Sequence, residues 1–298
     1  MSAAAPSRAR IAFDFCLVAL IWGSTWWTIT TQIGDVPAAW SVTYRFALAT
    51  PAMVMVALAM GNRLALGARA HGLAVLIGLT QFCGNYMFVY EAERHLTSGI
   101  VALIISLLLV PNAVLGWLLL GERISARFAA GSAVAMGGLA LLLVNEAQLA
   151  PTGGNVVLGI ALSLGGLLAA AVANVVQATE TGRAVPLASL LAWSMAYGTL
   201  IDAILAWSLY GPPVLPRDPG YWAGAAYLAF AGSVVTFPLY FKLVRDIGAG
   251  KAAYNGVAVV VLAMLFSTLL EDYRWTVLAA AGAMVAMAGL LAALSGRK

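Results

Sequence analysis

The chain is a succession of long apolar runs separated by short polar segments. No Asp, Glu, Lys or Arg occurs between Asp14 and Asp35, Arg69 and Glu91, Arg94 and Glu122, Arg127 and Glu146, or Glu146 and Glu180. The same holds between Asp218 and Lys242, Lys251 and Glu271, and Arg274 and Arg297. Two further runs, 36–62 and 184–216, each hold one charge, Arg45 and Asp202 respectively. A helix needs about 20 apolar residues to cross the hydrocarbon layer of a bilayer, and each run is long enough. The pattern predicts an all-α membrane protein with ten transmembrane helices, near 11–32, 37–60, 70–91, 96–120, 125–145, 155–178, 186–210, 220–243, 248–270 and 274–295. The runs are continuously apolar and lack the alternation of a membrane-barrel strand, which excludes a barrel.

The polar segments test the helix count. Ten spans place both termini on one side. With that side in the cytoplasm, the inner segments hold Arg8, Arg10, Arg63, Arg69, Arg123, Arg127, Arg183, Lys242, Arg245, Lys251, Arg297 and Lys298, and the outer ones hold Arg94, Arg217 and Arg274. Twelve against three is the excess that the positive-inside rule demands. The expectation is a multi-pass protein of a bacterial-type inner membrane with both termini cytoplasmic. The apolar run after Arg8 and Arg10 exceeds a signal-peptide core, so it reads as a retained first helix.

An internal repeat organises these helices. Gly131, Val134-Ala135-Met136 and Gly138-Leu139 in the fifth recur as Gly282, Val285-Ala286-Met287 and Gly289-Leu290 in the tenth, 151 residues later. Arg94 and Arg245 are related by the same offset. The chain therefore divides into units 1–146 and 155–298, with a turn signal at Pro151-Thr-Gly-Gly-Asn155. Five helices is an odd number, so the second unit enters the membrane inverted. Inverted repeats typify secondary transporters, whose substrate site lies near the midplane between the repeats.

Composition narrows the function. Charged residues make up 9% of the chain and hydrophobic ones 62%, against about 25% charged in soluble domains. The net charge of +4 is scattered singly, with no basic cluster to follow a nucleic-acid backbone. Cys16 and Cys83 lie far apart in apolar runs and have no metal-ligand spacing. Nothing calls for a metal, a cofactor or a required protein partner; the expected partners are a small-molecule substrate and the lipid bilayer. The two histidines, His71 and His95, fall at opposite membrane faces, and no two acids share a helix face at mid-depth. This leaves an intramembrane enzyme without a catalytic set.

Several stretches carry a family resemblance. Thr97 to Pro111, reading TSGIVALIISLLLVP, is followed by Leu118-Leu-Leu-Gly-Glu122-Arg-Ile-Ser125. With Trp22-Gly-Ser-Thr25 and Tyr44-Arg45-Phe46, these segments resemble the EamA-type drug/metabolite transporter superfamily. The resemblance covers the whole chain in helix count and repeat. It implies that helices one to four and six to nine surround a central cavity and that metabolites, amino acids included, are exported. The YddG-type aromatic amino-acid exporters are one branch it points toward. The second half departs from the pattern: Glu271-Asp-Tyr-Arg274 stands where Gly-Glu is common, and no proline in the ninth helix matches Pro111.

Polar residues inside the spans supply the candidate cavity. An ionisable side chain at mid-membrane is costly and usually faces a cavity or a partner. Arg45 and Asp202 lie at similar depth with opposite charge, so they either pair or flank the cavity, where Arg45 suits a carboxylate. Gln81, Asn85, Tyr86 and Tyr90 form a stripe on the third helix at helical spacing. Trp22 and Trp26 on the first helix, Asn112 on the fourth, Asn174 and Gln177 on the sixth, and Tyr254 and Asn255 on the ninth complete the set. Asp14 is one turn from the cytoplasmic end and reads as snorkelling. Pro51, Pro111 and Pro238 fall inside spans, removing backbone hydrogen bonds at candidate hinges. The reading is a secondary transporter that exports small amphipathic metabolites, foremost amino acids and especially aromatic ones, by alternating access. A transporter of drugs, cations or sugar-like metabolites is the alternative.

Overall fold

The computed structural model describes residues 7–121, 123–149, 155–247, 252 and 254–295. Among them, every regular element is helical. The spans are α1 (Arg8–Thr30), α2 (Ala38–Ala59), α3 (Ala68–Ala92), α4 (Ser98–Leu120) and α5 (Ala126–Leu149). The second half supplies α6 (Val156–Ala178), α7 (Leu187–Tyr210), α8 (Pro219–Ala229 continuing through Ile247), α9 (Tyr254–Leu270) and α10 (Val277–Ser295). Nine of these are long and apolar enough to cross a membrane, and α9 is a shorter apolar helix. The turn expected at Pro151, the motif residue Glu122, and Lys251, Arg297 and Lys298 lie outside the described residues.

Side-chain oxygens fix several helix starts. Ser7 accepts from the Arg10 amide, Asn155 from Leu158, and Asp218 from both Gly220 and Tyr221. Each satisfies backbone donors that the first turn leaves orphaned. Gly121 ends α4 with φ +69°, a left-handed conformation that glycine adopts freely. Thr179 starts a one-turn helix, Glu180–Ala184, that the hydrophobic pattern does not announce.

Successive spans alternate in direction. The helix ends near Arg8, Arg63, Arg123 and Arg183 therefore share one side, the basic face. Those near Asp35, Glu93, Asp218 and Glu271 share the other, the acidic face.

The repeat is visible in how α5 packs against α10. A Cβ on Gly131 would lie 2.3 Å from the Ala293 amide, and one on Gly138 would lie 2.2 Å from that of Ala286. Gly289 meets Ala135, and Gly282 meets the Gly138 carbonyl and the Leu142 amide. The pairs 131 with 293 and 142 with 282, and 135 with 289 and 138 with 286, exchange under the offset of 151. Two inverted five-helix repeats thus meet through glycine-lined backbones, the close approach that small residues permit in membranes.

Among the described residues, three spans depart from regular α-helix. In α3, Gly78–Asn85 is a widened π turn, and in α8 Phe230–Val235 is another. Positions 79–84 and 230–235 again differ by 151. In α8 the cause is local: Pro238 has no amide hydrogen, and its ring collides with the carbonyl four residues back, inside the wide turn. In α3, Gly78 is pressed onto the Ser194 carbonyl and the Gly198 amide of α7. The third departure is in α4, which breaks at Leu107 and Leu108 into Ser98–Ser106 and Leu109–Leu120. Pro111 sits four residues after Leu107, where the same clash operates. The first piece packs against α9 and α6, and the second packs on α6.

Candidate functional site

Arg45, on α2, is 2% exposed. Its Nη1 donates to the Tyr90 hydroxyl at 3.3 Å, while Nε and Nη2 donate to Ser233 Oγ at 3.4 and 3.3 Å. Ser233 Oγ in turn donates to the Leu228 carbonyl five residues back, a bond that the wide turn of α8 makes available. The guanidinium lies over the Tyr86 ring at 4.4 Å from its centroid and over Phe46 at 5.4 Å. Desolvated cation–π contacts are worth about 2 kcal/mol, and hydrogen bonds from charged donors about 1.5–3 kcal/mol. Together they offset the burial of the charge. An arginine has five N–H donors, so the two protein oxygens leave donors for a carboxylate.

Around this cation the rings form a box. Phe46 meets Phe82 and Tyr86 edge-on at 5.1 and 4.9 Å, and Phe82 meets Phe237 at 6.2 Å. Trp22 contacts Phe237 at 5.7 Å and Tyr240 at 5.1 Å, and its Nε1 donates to the Gly232 carbonyl in the wide turn. Gly232 has no room for a side chain: a Cβ would stand 2.8 Å from the Thr25 methyl.

Toward the acidic face the space is sealed. Ser41 bonds both the Tyr221 hydroxyl, at 2.7 Å, and the Gln32 carbonyl, and Gln32 Nε2 donates to the Tyr221 carbonyl. Trp40 stacks on Tyr44, and Tyr44 packs on Trp222. Gln32, Trp40, Ser41, Tyr90 and Tyr221 are all buried. On the other side of the rings Trp22, Tyr86, Phe237 and Tyr240 are half-exposed. The rings are therefore covered by buried side chains toward the acidic face and are less buried away from it.

The structure brings some of the expected residues together and disperses others. Arg45, Tyr86, Tyr90 and Trp22 converge. Arg45 and Asp202 do not pair: Asp202 is fully buried on α7 beside the Cys83 thiol, away from the arginine's partners. The α3 stripe divides. Gln81 donates to Asn85, and Asn85 donates to the Gly166 carbonyl at 2.9 Å, so this pair ties α3 to α6. Asn174 donates to Asn112 at 3.4 Å, tying α6 to the second piece of α4. Asn255 donates to the Phe15 carbonyl, tying α9 to α1. Trp26 packs against the main core, while Gln177 and Tyr254 are half-buried nearer the basic face. Asp14 does not snorkel. It is 6% exposed and accepts from Lys242 of α8 at 2.6 Å. Pro51 is exposed on α2, where the helix continues unbroken, whereas Pro111 and Pro238 accompany the irregular segments.

Ser233, Phe46, Phe82, Phe237 and Tyr240 were not singled out in the sequence. A phenylalanine in an apolar span has nothing to mark it. Ser233 could have been found through the repeat, which places it 151 residues after Phe82. A separate groove of about 560 Å³ lies between α1 and α8, lined by Ser24, Thr28, Tyr221, Tyr227 and Phe266 among others.

Comparison with known proteins agrees with this architecture. The sequence profile of the EamA-like transporter family matches residues 10–144 and again 157–295. Protein PagO of Salmonella typhimurium is 24% identical over 139 residues, 47% of this chain and 46% of PagO. The match thus spans about half the length of that curated relative. One protein crystal structure aligns over 98% of this chain and 99% of its own at a TM-score of 0.69, with 19% identity, and so shares the fold.

Proposed function

The chain belongs to the EamA-like transporter family, and from that premise we propose that it exports small amphipathic metabolites, amino acids above all and aromatic ones in particular, by alternating access. The observation that carries this reading is the buried Arg45 guanidinium, held by Tyr90 and Ser233 at the closed end of a ring of Trp22, Phe46, Phe82, Tyr86 and Phe237. A free amino acid offers a carboxylate to the arginine and a side chain to the rings. The pairing is bidentate and planar where arginine serves best, and aromatic solutes add edge-to-face contacts. An organic cation gains nothing from a buried arginine, which weighs against the drug and cation alternative.

In this reading the units 1–146 and 155–298 rock against each other. The irregular segments beside Pro111 and Pro238 take up the bending, and Arg45 is exposed to each side in turn. The YddG-type exporter branch is the assignment that fits such a substrate. The protein sits in a bacterial-type inner membrane with the basic face in the cytoplasm, so the half-exposed lining receives solute from inside. A reporter fused after Lys298 gives a cytoplasmic signal on this arrangement; a periplasmic one overturns it.

The test of the substrate class is uptake by purified protein in liposomes, over a panel of amino acids, sugars and amphipathic cations. Saturable uptake of phenylalanine, tyrosine or tryptophan, competed by one another and lost in Arg45→Gln, supports the proposal. Saturable uptake of cations or sugars with indifference to amino acids overturns it.

A further inference from the structure

The end of α3 holds a carboxyl group in an unusual position. Glu93 follows the last turn of α3 and is 7% exposed. Among the described residues neither of its carboxyl oxygens meets a hydrogen-bond donor, and the neighbouring Thr97 hydroxyl is likewise buried without a partner. A second carboxyl, Glu271 at the end of α9, is near enough to act on Glu93 through its charge. Glu271 is the opposite case. Its Oε2 accepts from the Ser98 amide at 3.0 Å and from Ser267 Oγ at 3.0 Å, and its Oε1 accepts from Ser98 Oγ.

The donors decide which of the two carries charge. An ionised carboxylate buried without donors is strongly disfavoured, because nothing replaces the water it has lost. Two close carboxyls also resist double ionisation, and the one with the donors keeps the charge. Glu271 has three donors and Glu93 has none, so burial bears on Glu93 and favours its neutral form. Burial, and after it the Glu271 charge, push Glu93 well above the ordinary carboxylate range, while Arg45 pulls the other way. The elements packed against this group bring few other charges. From α2 comes Arg45, from α3 itself Tyr90, and from α9 Glu271. The α6 span and the first piece of α4 carry no titratable residue. His95, two residues on, is half-exposed and accepts from the Asn155 amide.

We infer that Glu93 is a proton-binding site belonging to the closure of the acidic face. When that face closes, Glu93 loses its water and takes a proton from the solution on the acidic side. When the face opens, the carboxyl is hydrated again and the proton returns to water. This inference rests on the alternating-access reading above, because it requires a state in which the acidic face is open.

The sign follows from linkage. The closed state holds the raised Glu93 and binds more protons, so acid favours closure. The advantage is fully present below the ordinary glutamate value of about 4.3, and it is lost as pH rises from there through the raised value. Within that window one linked proton changes the closed-to-open ratio by up to about tenfold per pH unit.

The experiment follows the conformation, not transport. Spin labels at Arg94→Cys and Arg217→Cys, two exposed positions in different repeats, report the distance across the acidic face in a Cys16→Ser, Cys83→Ala background reconstituted in liposomes. Wild-type protein is expected to shift from short to long distances as pH rises. Glu93→Gln, which keeps the neutral form, is expected to hold the short distance at every pH. His95→Gln is expected to retain the wild-type shift. A pH-dependent shift that survives in Glu93→Gln overturns the proposal, as does a wild-type distance that ignores pH while both states are populated. A second readout is proton counting: closure by wild-type protein takes up close to one more proton than closure by Glu93→Gln, and equal uptake overturns the assignment. If amino-acid uptake fails while the Glu93-dependent shift remains, the substrate reading falls and the proton site stands. The converse result leaves the substrate reading intact.

Discussion

Arg45 on α2 and Tyr90 on α3 face each other with the guanidinium Nη1 3.3 Å from the phenol oxygen. That contact, completed by Ser233 from α8, holds the buried cation without an ion pair among the described residues. Asp202 is buried elsewhere, beside Cys83. The arginine is thus stabilised by dipoles and rings while it keeps its positive charge, and in the proposed function that charge receives the substrate's carboxylate.

Replacing Arg45 tests this directly. Arg45→Lys keeps the charge but loses the planar fork that spans Tyr90 and Ser233. Uptake of the substrate is expected to fall at least about tenfold, the equivalent of one 1.4 kcal/mol interaction at the site. Initial rates in liposomes, with thermal unfolding to confirm a folded variant, make the measurement. Wild-type rates in Arg45→Lys would remove the arginine from the site.

The α5–α10 contact predicts a contrast between adjacent glycines. Gly138→Ala places a methyl group 2.2 Å from the Ala286 amide, whereas a Cβ on Gly137 meets nothing within 4 Å. Overpacking of this kind costs about 1–3 kcal/mol. Gly138→Ala is expected to lower the melting temperature in lipid by several degrees, and Gly137→Ala to leave it unchanged or raise it slightly.

Asp14 and Lys242 join α1 to α8 near the basic face, with the acid side chain 8% exposed and the lysine 33%. Such a pair lies between the exposed case, worth about 0–1 kcal/mol, and the buried case, where removing one partner costs about 3–5 kcal/mol. Asp14→Asn is expected to destabilise by about 1–3 kcal/mol. The exchange Asp14→Lys with Lys242→Asp is expected to recover part of the loss left by Asp14→Lys alone. Chemical unfolding of the three variants decides it; no recovery in the double variant means that the pair is incidental.

The seal at the acidic face turns on Ser41 and Tyr221, 2.7 Å apart. Ser41→Ala and Tyr221→Phe should be non-additive, with a coupling of about 1 kcal/mol in favour of the closed face. Either substitution is expected to raise labelling of a cysteine placed at Ala39, which is buried under the same aromatic cluster, by a reagent confined to the acidic side.

The number of spans, their approximate limits and the inverted repeat were all legible in the chain, whereas the packing of the repeat's glycines between α5 and α10 was not. Each legible feature is written in a one-dimensional pattern: a helix must be apolar over a bilayer's thickness, and a repeat is a fixed offset. Arg45, Tyr86, Tyr90 and Trp22 were legible as candidates because polarity and large rings inside apolar runs are conspicuous. Their partners were not. The wide turns Gly78–Asn85 and Phe230–Val235 add a residue to a helical turn and rotate everything beyond it. Helical spacing counted along α3 therefore joined Gln81 and Asn85 to a stripe from which they separate in space. Which neutral groups surround Arg45, that Asp14 finds Lys242, and that Glu271 takes the donors while Glu93 is left without them depend on how helices cross. Crossing is set by side-chain packing between segments distant in sequence, and no periodicity within a single helix records it.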